Sequence, residues 1–303
     1  MPTHSKQHFV PRVYLAAWTD PDTPEEHDPY VWLHPLEGGP AKRKAPRGIF
    51  TETDIYTAHG AKGRDLTFEH GLGKLENMFA RIMREIIVPR EPISLEDRVV
   101  LCTFIAALKA RTPTQRDHLQ SQFQQVVDRS DSLAAEFEQM TEEEQETAAA
   151  VHIEGSGGTI DVEDLRKLAA NPMLPTLVIT MTQWPRILAQ MNMTILCAPG
   201  PSTFITSDAP VTLVDREQDR RTGRAYGPSI LSPTAEITLP LSPTRAVVLT
   251  RITTPLYHTI SDGLVREINQ TTAAFAHEYL VFQTERGVEG LRLKKKAQEP
   301  PAE

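Results

Sequence analysis

The feature that most restricts this chain is where its hydrophobic period changes. From Thr67 the apolar residues Phe68, Leu72, Leu75, Phe79, Ile82 and Ile86 recur at three- and four-residue spacing, which lines one face of a helix. Pro89 and Pro92 end that run, because proline has no amide hydrogen to donate and clashes with the turn before it. Ser94, followed by Asp97, forms a relaxed capping box and opens a second helix through Leu101, Phe104, Ile105 and Leu108 to Arg111. Pro113 marks a break, and a third pattern runs through Leu119, Phe123, Val126, Leu133, Phe137 and Met140. It fades into the Glu142 to Glu146 run, a solvated face, and then into Gly155-Ser156-Gly157-Gly158, which has the composition of a connection. Two more helical stretches follow, Val162 to Ala170 and Thr176 towards Gln190, the latter bent or started near Trp184-Pro185.

After Asn192 the pattern becomes short, β-branched and bounded by Pro or Gly, as strands are. Met193 to Ala198, Thr203 to Thr206, Val211 to Val214, Ile237 to Leu239 and Ala246 to Ile252 read this way. A late helix, Gly263 to His277, precedes a last strand, Tyr279 to Gln283, and Tyr30 to Leu33 supplies an early one between Pro29 and Pro35. Strands at both ends with helices between them predict an α+β fold. The expected architecture is a central helical bundle (about 65–190) packed on a mixed or antiparallel sheet. That sheet is built from the N-terminal segment and the C-terminal third. The expected organisation is a single domain over residues 1–290 followed by a flexible charged tail over 291–303.

The 303 residues are 40% apolar and 24% charged, which suffices for a packed core and excludes wholesale disorder. The formal charge of −8 argues against coating nucleic acid through bulk charge. A local basic patch remains, since Lys42, Arg43, Lys44 and Arg47 have no acid between them. The opening Met1 to Lys6 carries no apolar stretch of the signal-peptide kind, and no apolar run approaches the length of a membrane span. Cys102 and Cys197 lie in apolar contexts without a paired neighbour, as reduced, buried thiols do. The expected location is the cytoplasm.

The opening Lys6-Gln7-His8-Phe9-Val10-Pro11-Arg12-Val13-Tyr14-Leu15 resembles the start of a bacterial family catalogued as domain of unknown function 4238. Further matches follow in the same order: Phe50 to Tyr56, the Glu69 to Glu76 helix, Arg111-Thr112-Pro113, Phe204 to Pro210, and Pro240-Leu241-Ser242-Pro243. The resemblance runs from about residue 4 to about residue 283, with Trp18 and Ala209 as departures. It implies landmarks rather than a reaction, since the family name assigns no activity.

Within those landmarks the polar residues carry the chemistry. Lys6 and His8 alternate on an extended segment, so both point to one side. A histidine beside a cation suits proton transfer to or from a phosphate or carbonyl; the competing reading is a hydrogen-bonded residue that fixes the start of the chain. Glu69 and Glu76 lie two turns apart on one helix face. With Asp208 from the β half they would hold Mg²⁺ or Mn²⁺, or else form a solvated flank, or a buried ion pair with Arg111. The planar fork of Arg111, at a helix end, suits a phosphate or a structural glutamate. Asp208, in Thr206-Ser207-Asp208-Ala209-Pro210, is a turn residue, a metal ligand or a general base. His4 and His8 make only a weak metal pair, and Glu52 and Asp54 are weaker carboxylate candidates. Ser207 lacks the GxSxG elbow, Gly71-Leu72-Gly73-Lys74 lacks phosphate-loop spacing, and His277-Glu278 lacks the second histidine of a zinc protease.

Two expectations follow. The first is a nuclease-like hydrolase of phosphodiester bonds, with a nucleic acid or nucleotide as substrate and no membrane partner. His8 is the acid/base, Lys6 and Arg111 hold phosphate, and Glu69, Glu76 and Asp208 recruit the divalent metal or orient the histidine. The second is a non-catalytic ligand- or partner-binding protein in which the same polar residues form a satisfied network. An open cleft with His8 accessible marks the first, a closed network the second.

Overall fold

The computed structural model describes residues 6–53, 55, 58–60, 63–150, 161–215, 217, 228–288 and 291. His4, Asp54, Tyr56, Gly155 to Gly158 and the tail from residue 292 lie outside them. The N-terminal region holds strand β1 (Lys6–His8), one turn of helix α1 (Arg12–Leu15), and strands β2 (Val31–Pro35), β3 (Lys42–Lys44), β4 (Thr51–Thr53), β5 (Ala58–Gly60) and β6 (Gly63–Asp65). Three residues of the basic patch, Lys42 to Lys44, thus form strand β3 with their side chains exposed, and Arg47 lies in the turn that follows.

The helical middle comprises α2 (Thr67–Ile82), α3 (Leu95–Ala110), α4 (Pro113–Glu138), α5 (Glu142–Ala150), α6 (Val162–Ala170) and α7 (Met173–Leu188). Leu72, Leu75, Phe79 and Ile82 of α2 are buried, as their spacing requires. The helix runs on into a π turn, Met83–Ile87, where Val88 N–H reaches the Met83 carbonyl at 3.0 Å. α3 is the central helix, apolar on most of its circumference, and its Phe104 ring stacks on Phe79 with centroids 3.9 Å apart. Ser94 caps it: its Oγ accepts the Asp97 N–H at 3.1 Å and donates to the Asp97 carboxylate at 2.7 Å. Of the two readings of Trp184-Pro185, a bend or a start, the start does not hold, since Pro185 lies inside α7. The helix continues through it, with Ala189 N–H bonded to the Pro185 carbonyl, because packing of α7 on α3 outweighs the one lost backbone bond.

α4 also departs from expectation. Of its residues only Pro113 and Val127 are buried, and Leu133 and Phe137 stay exposed. After its first turns the helix leaves the core and packs on α6 instead, so its apolar stripe has the right period without a core to face.

The C-terminal third contributes β7 (Asn192–Cys197), β8 (Thr206–Ser207), β9 (Thr212–Asp215), β10 (Ala235–Ser242), β11 (Arg245–Thr250), β12 (Tyr257–Thr259), helix α8 (Asp262–Phe275) and β13 (Tyr279–Phe282). The protein is α+β, with strands in two main sheets rather than one. The first has the order β12-β7-β11-β10-β9, antiparallel except for the parallel β12–β7 pair. The second has the antiparallel order β3-β2-β13-β8 and joins both chain ends, as the sequence reading expects of its single sheet. β1 with β4, and β5 with β6, form two-stranded ribbons. The division has a local cause: β10 and β11 close a hairpin over a short loop, which costs little chain entropy, and β7 completes that unit. The N-terminal strands are left to pair with β13.

One apolar cluster runs from Phe9 through α2, α3 and α7 to the inner face of the five-stranded sheet and Val281. Tyr14 bridges the two sheets inside it, its hydroxyl 2.7 Å from the Pro240 carbonyl and 2.6 Å from Thr206 Oγ1. Both cysteines are free and buried, and burial pushes the Cys102 thiol up to about 12. Among the described residues no helix is long and apolar enough to cross a membrane.

Candidate functional site

β1 pairs antiparallel with β4, placing His8 opposite Thr51. The alternation of a strand then sorts the opening motif: Lys6 is exposed, Gln7 buried and His8 half-buried. Gln7 turns inward and donates through Nε2 to Glu69 Oε2 at 2.8 Å. That bond ties the ribbon to the first turns of α2 and occupies Glu69.

Behind the Pro46–Arg47 wall of a cleft of about 660 Å³ lies His8, itself outside the lining; the polar members of that lining are Arg12, Thr19, Asp28, Arg47, Glu76 and Asn77. The imidazole hydrogen-bonds the backbone at Pro46 and Arg47, which form one wall of that cleft, and feels the charges of Arg12 and Glu76. Burial is the leading influence on it and holds its pKa below the usual histidine value; the Pro46 bond and Glu76 oppose that shift, and Arg12 adds to it. Its environment therefore favours the neutral ring. Arg47 pairs with Asp28, both largely exposed, whereas Arg12 has no carboxylate partner among the described residues.

Arg111, at the C-terminal cap of α3, is 1% exposed and donates through Nη1 to Glu76 Oε1 at 3.0 Å. Its Nε meets no acceptor among the described residues. A cation enclosed to this degree does not reach a substrate phosphate; it acts on the cleft through Glu76, with which it pairs. Of the readings open to Glu76 and Arg111, the buried ion pair is the one realised, with Glu76 on the cleft wall.

Asp208 is not at the cleft. It is 4% exposed and accepts the N–H groups of His277, Glu278 and Tyr279 at 2.8, 2.7 and 3.0 Å. It thereby fixes the α8–β13 junction, while the turn after it is closed by Ser207 Oγ accepting the Ala209 N–H. Glu69, Glu76 and Asp208 are engaged separately, and no three His, Cys, Asp or Glu residues among those described are grouped as metal ligands. Held apart in this way, the three carboxylates do not form a donor set that fits Mg²⁺ or Mn²⁺. Glu52, the weaker carboxylate candidate, pairs with Arg116.

The structure thus places Glu76 on the cleft wall with His8 behind that cleft, backs Glu76 with Arg111, and leaves Glu69 and Asp208 to structural bonds and Lys6 to solvent. Sequence reading passes over Arg12, Asp28 and Asn77, and counts Arg47 only as part of a basic run. The available signal is Arg12 itself, the one cation within the Phe9 to Leu15 stretch of the opening motif.

Fold and cleft together define an α+β protein with a cleft between α1, the Ala45–Arg47 segment and the first long helix, α2. Residues 6–286 match the family described as "Protein of unknown function (DUF4238)", and the chain belongs to that family. No match is found among curated proteins or among solved structures.

Proposed function

We propose that the chain hydrolyses phosphodiester bonds of a nucleic acid or nucleotide at the His8 cleft. One observation carries this reading: an imidazole whose pKa burial lowers is bonded to the Pro46–Arg47 wall of an open cleft that two arginines line. A neutral imidazole accepts a proton at pH 7, and guanidinium forks match the non-bridging oxygens of a phosphate. In the proposed step His8 takes the proton of water or of a ribose 2′-hydroxyl as its oxygen attacks phosphorus. The bond to the leaving oxygen breaks, and the imidazolium returns the proton to that oxygen. Arg12 and Arg47 stabilise the charge that builds on the phosphate, and Glu76 steadies the imidazolium. The exposed cations of β3, which lead directly into the Pro46–Arg47 wall, extend the path for a polyanion.

The non-catalytic reading is favoured by a separate observation, the closed pairs Gln7–Glu69 and Arg111–Glu76. Cleavage of labelled single- and double-stranded RNA and DNA, in Mg²⁺, Mn²⁺ or EDTA, separates the two. Cleavage that survives EDTA and falls by about a hundredfold or more in His8→Ala supports the proposal. Cleavage abolished by EDTA returns the carboxylates to a metal role. A folded protein that cleaves nothing, yet binds labelled RNA through Arg12 and Arg47, establishes the binding role instead.

A further inference from the structure

The five-stranded sheet has a second face, turned away from the main core. Thr194 of β7 pairs with Val248 of β11, Val248 with Thr238 of β10, and Thr238 with Thr212 of β9. Residues directly opposed across strands share a face, so these four make one row. α8 covers only part of it, where Leu196 and Val248 pack against Val265 and Ile268. The remainder is a cavity of about 440 Å³ between the sheet, α8 and the Ile252–Pro255 loop. That volume lies in the range of about 300–1,000 Å³ typical of small-molecule sites.

Its wall contains hydroxyls that the protein itself hardly uses. Thr212 and Thr238 are 1% and 4% exposed. Thr212 Oγ1 has the Thr238 carbonyl at 3.5 Å, and Thr238 Oγ1 has Glu236 Oε1 at 3.5 Å. Both contacts stand at the outer limit of a hydrogen bond, whereas buried hydroxyls are as a rule well bonded. Glu236, half-buried, stands on the same wall, and the described lining contains no lysine or arginine. An aliphatic stretch from Leu196, Val248, Leu264 and Ile268 makes up much of the rest, with His258, Glu267 and further threonines around it.

We propose that this cavity is a binding site for a small primary ammonium compound with an apolar body. The ammonium supplies three donors and no acceptor, which suits one carboxylate and two threonine oxygens. The aliphatic wall takes the apolar body, and an anionic ligand of the same shape meets Glu236 unfavourably. The site is separate from the His8 cleft, and the inference does not depend on the hydrolase reading.

Methyl-resolved NMR of the full chain tests it, with phenethylamine, tryptamine and cyclohexylmethylamine as probes and 3-indolepropionate as the matched acid of tryptamine. The expected result is saturable shifts at the methyls of Val248, Thr238, Leu264 and Ile268 from at least one amine. The acid should bind about tenfold more weakly or worse. Glu236→Gln, at a half-exposed strand position, should weaken the amine about tenfold, with the rest of the methyl spectrum unchanged. Thr238→Val, nearly isosteric, should weaken it to a lesser degree. Equal response to amine and acid, shifts elsewhere in the molecule, or no response from any amine up to about 5 mM overturns the proposal.

Discussion

At the scale of single residues, burial sorts the polar side chains of this chain into two kinds. Asp208 is enclosed and holds three backbone donors; burial pushes its carboxyl above the usual range while those bonds draw it back. Removing it strands three N–H groups where water does not replace it. Asp208→Ala should therefore cost about 3 kcal/mol in a urea titration, and a loss within about 0.5 kcal/mol would contradict the clamp. His8 is of the other kind, set against a cleft. Its folded pKa lies below 6.5, so between the two values the unfolded chain binds more protons than the folded one. Stability should then rise with pH across the window just below 6.5 and level off above it. His8→Gln should flatten that slope, as read from denaturation midpoints at a series of pH values. If His8 is also the base, cleavage by the native chain should reach its plateau below pH 6.5. The alternation of Lys6, Gln7 and His8 was legible in the sequence because a strand fixes it locally. The role of Asp208 was not, since its partners lie 69 to 71 positions away and are backbone groups that any residue type presents.

At the scale of elements, periodicity located the helices and was silent on what each one faces. The stripes of α2 and α4 have the same character on paper, yet Phe79 is buried against Phe104 and Phe137 is 40% exposed. Phe79→Ala should cost about 3–5 kcal/mol, while Phe137→Ala should stay within about 0.5 kcal/mol. Guanidinium denaturation of both variants checks the pair, and comparable losses would mean that α4 packs more closely than its exposure indicates. The cap at Ser94 was legible because it is written within four residues. The π turn after α2 was not: its bonds, and the Tyr257 hydroxyl that reaches the Ile86 carbonyl at 3.1 Å, depend on a strand far along the chain. At Pro185 the sequence left a bend or a start open, and the helix runs through because one missing amide weighs less than the packing of a whole helix face.

At the scale of the molecule, the α+β class followed from the order of patterns, whereas the partition into two sheets required strand pairings that side-chain pattern does not encode. β2 pairs with β13 across most of the chain, whereas the cleft beside His8 is lined by residues 12–77 alone. The shared cluster from Phe9 to Val281 leaves no plane along which helices and sheets could separate without exposing apolar surface. Unfolding should therefore be one transition. The three tryptophans make this measurable: Trp18 and Trp32 are buried in the N-terminal region, and Trp184 sits on α7. Their fluorescence and the helical circular dichroism should trace the same urea curve. Tyr14→Phe, which removes the hydroxyl that bridges Thr206 and the Pro240 carbonyl, should lower the midpoint by the equivalent of about 1–3 kcal/mol. Because that hydroxyl joins two sheets within one core, the curves should stay superimposed in the variant. Their separation would show instead that the four-stranded sheet unfolds on its own and that the Tyr14 bridge, rather than the apolar cluster, couples it to the rest.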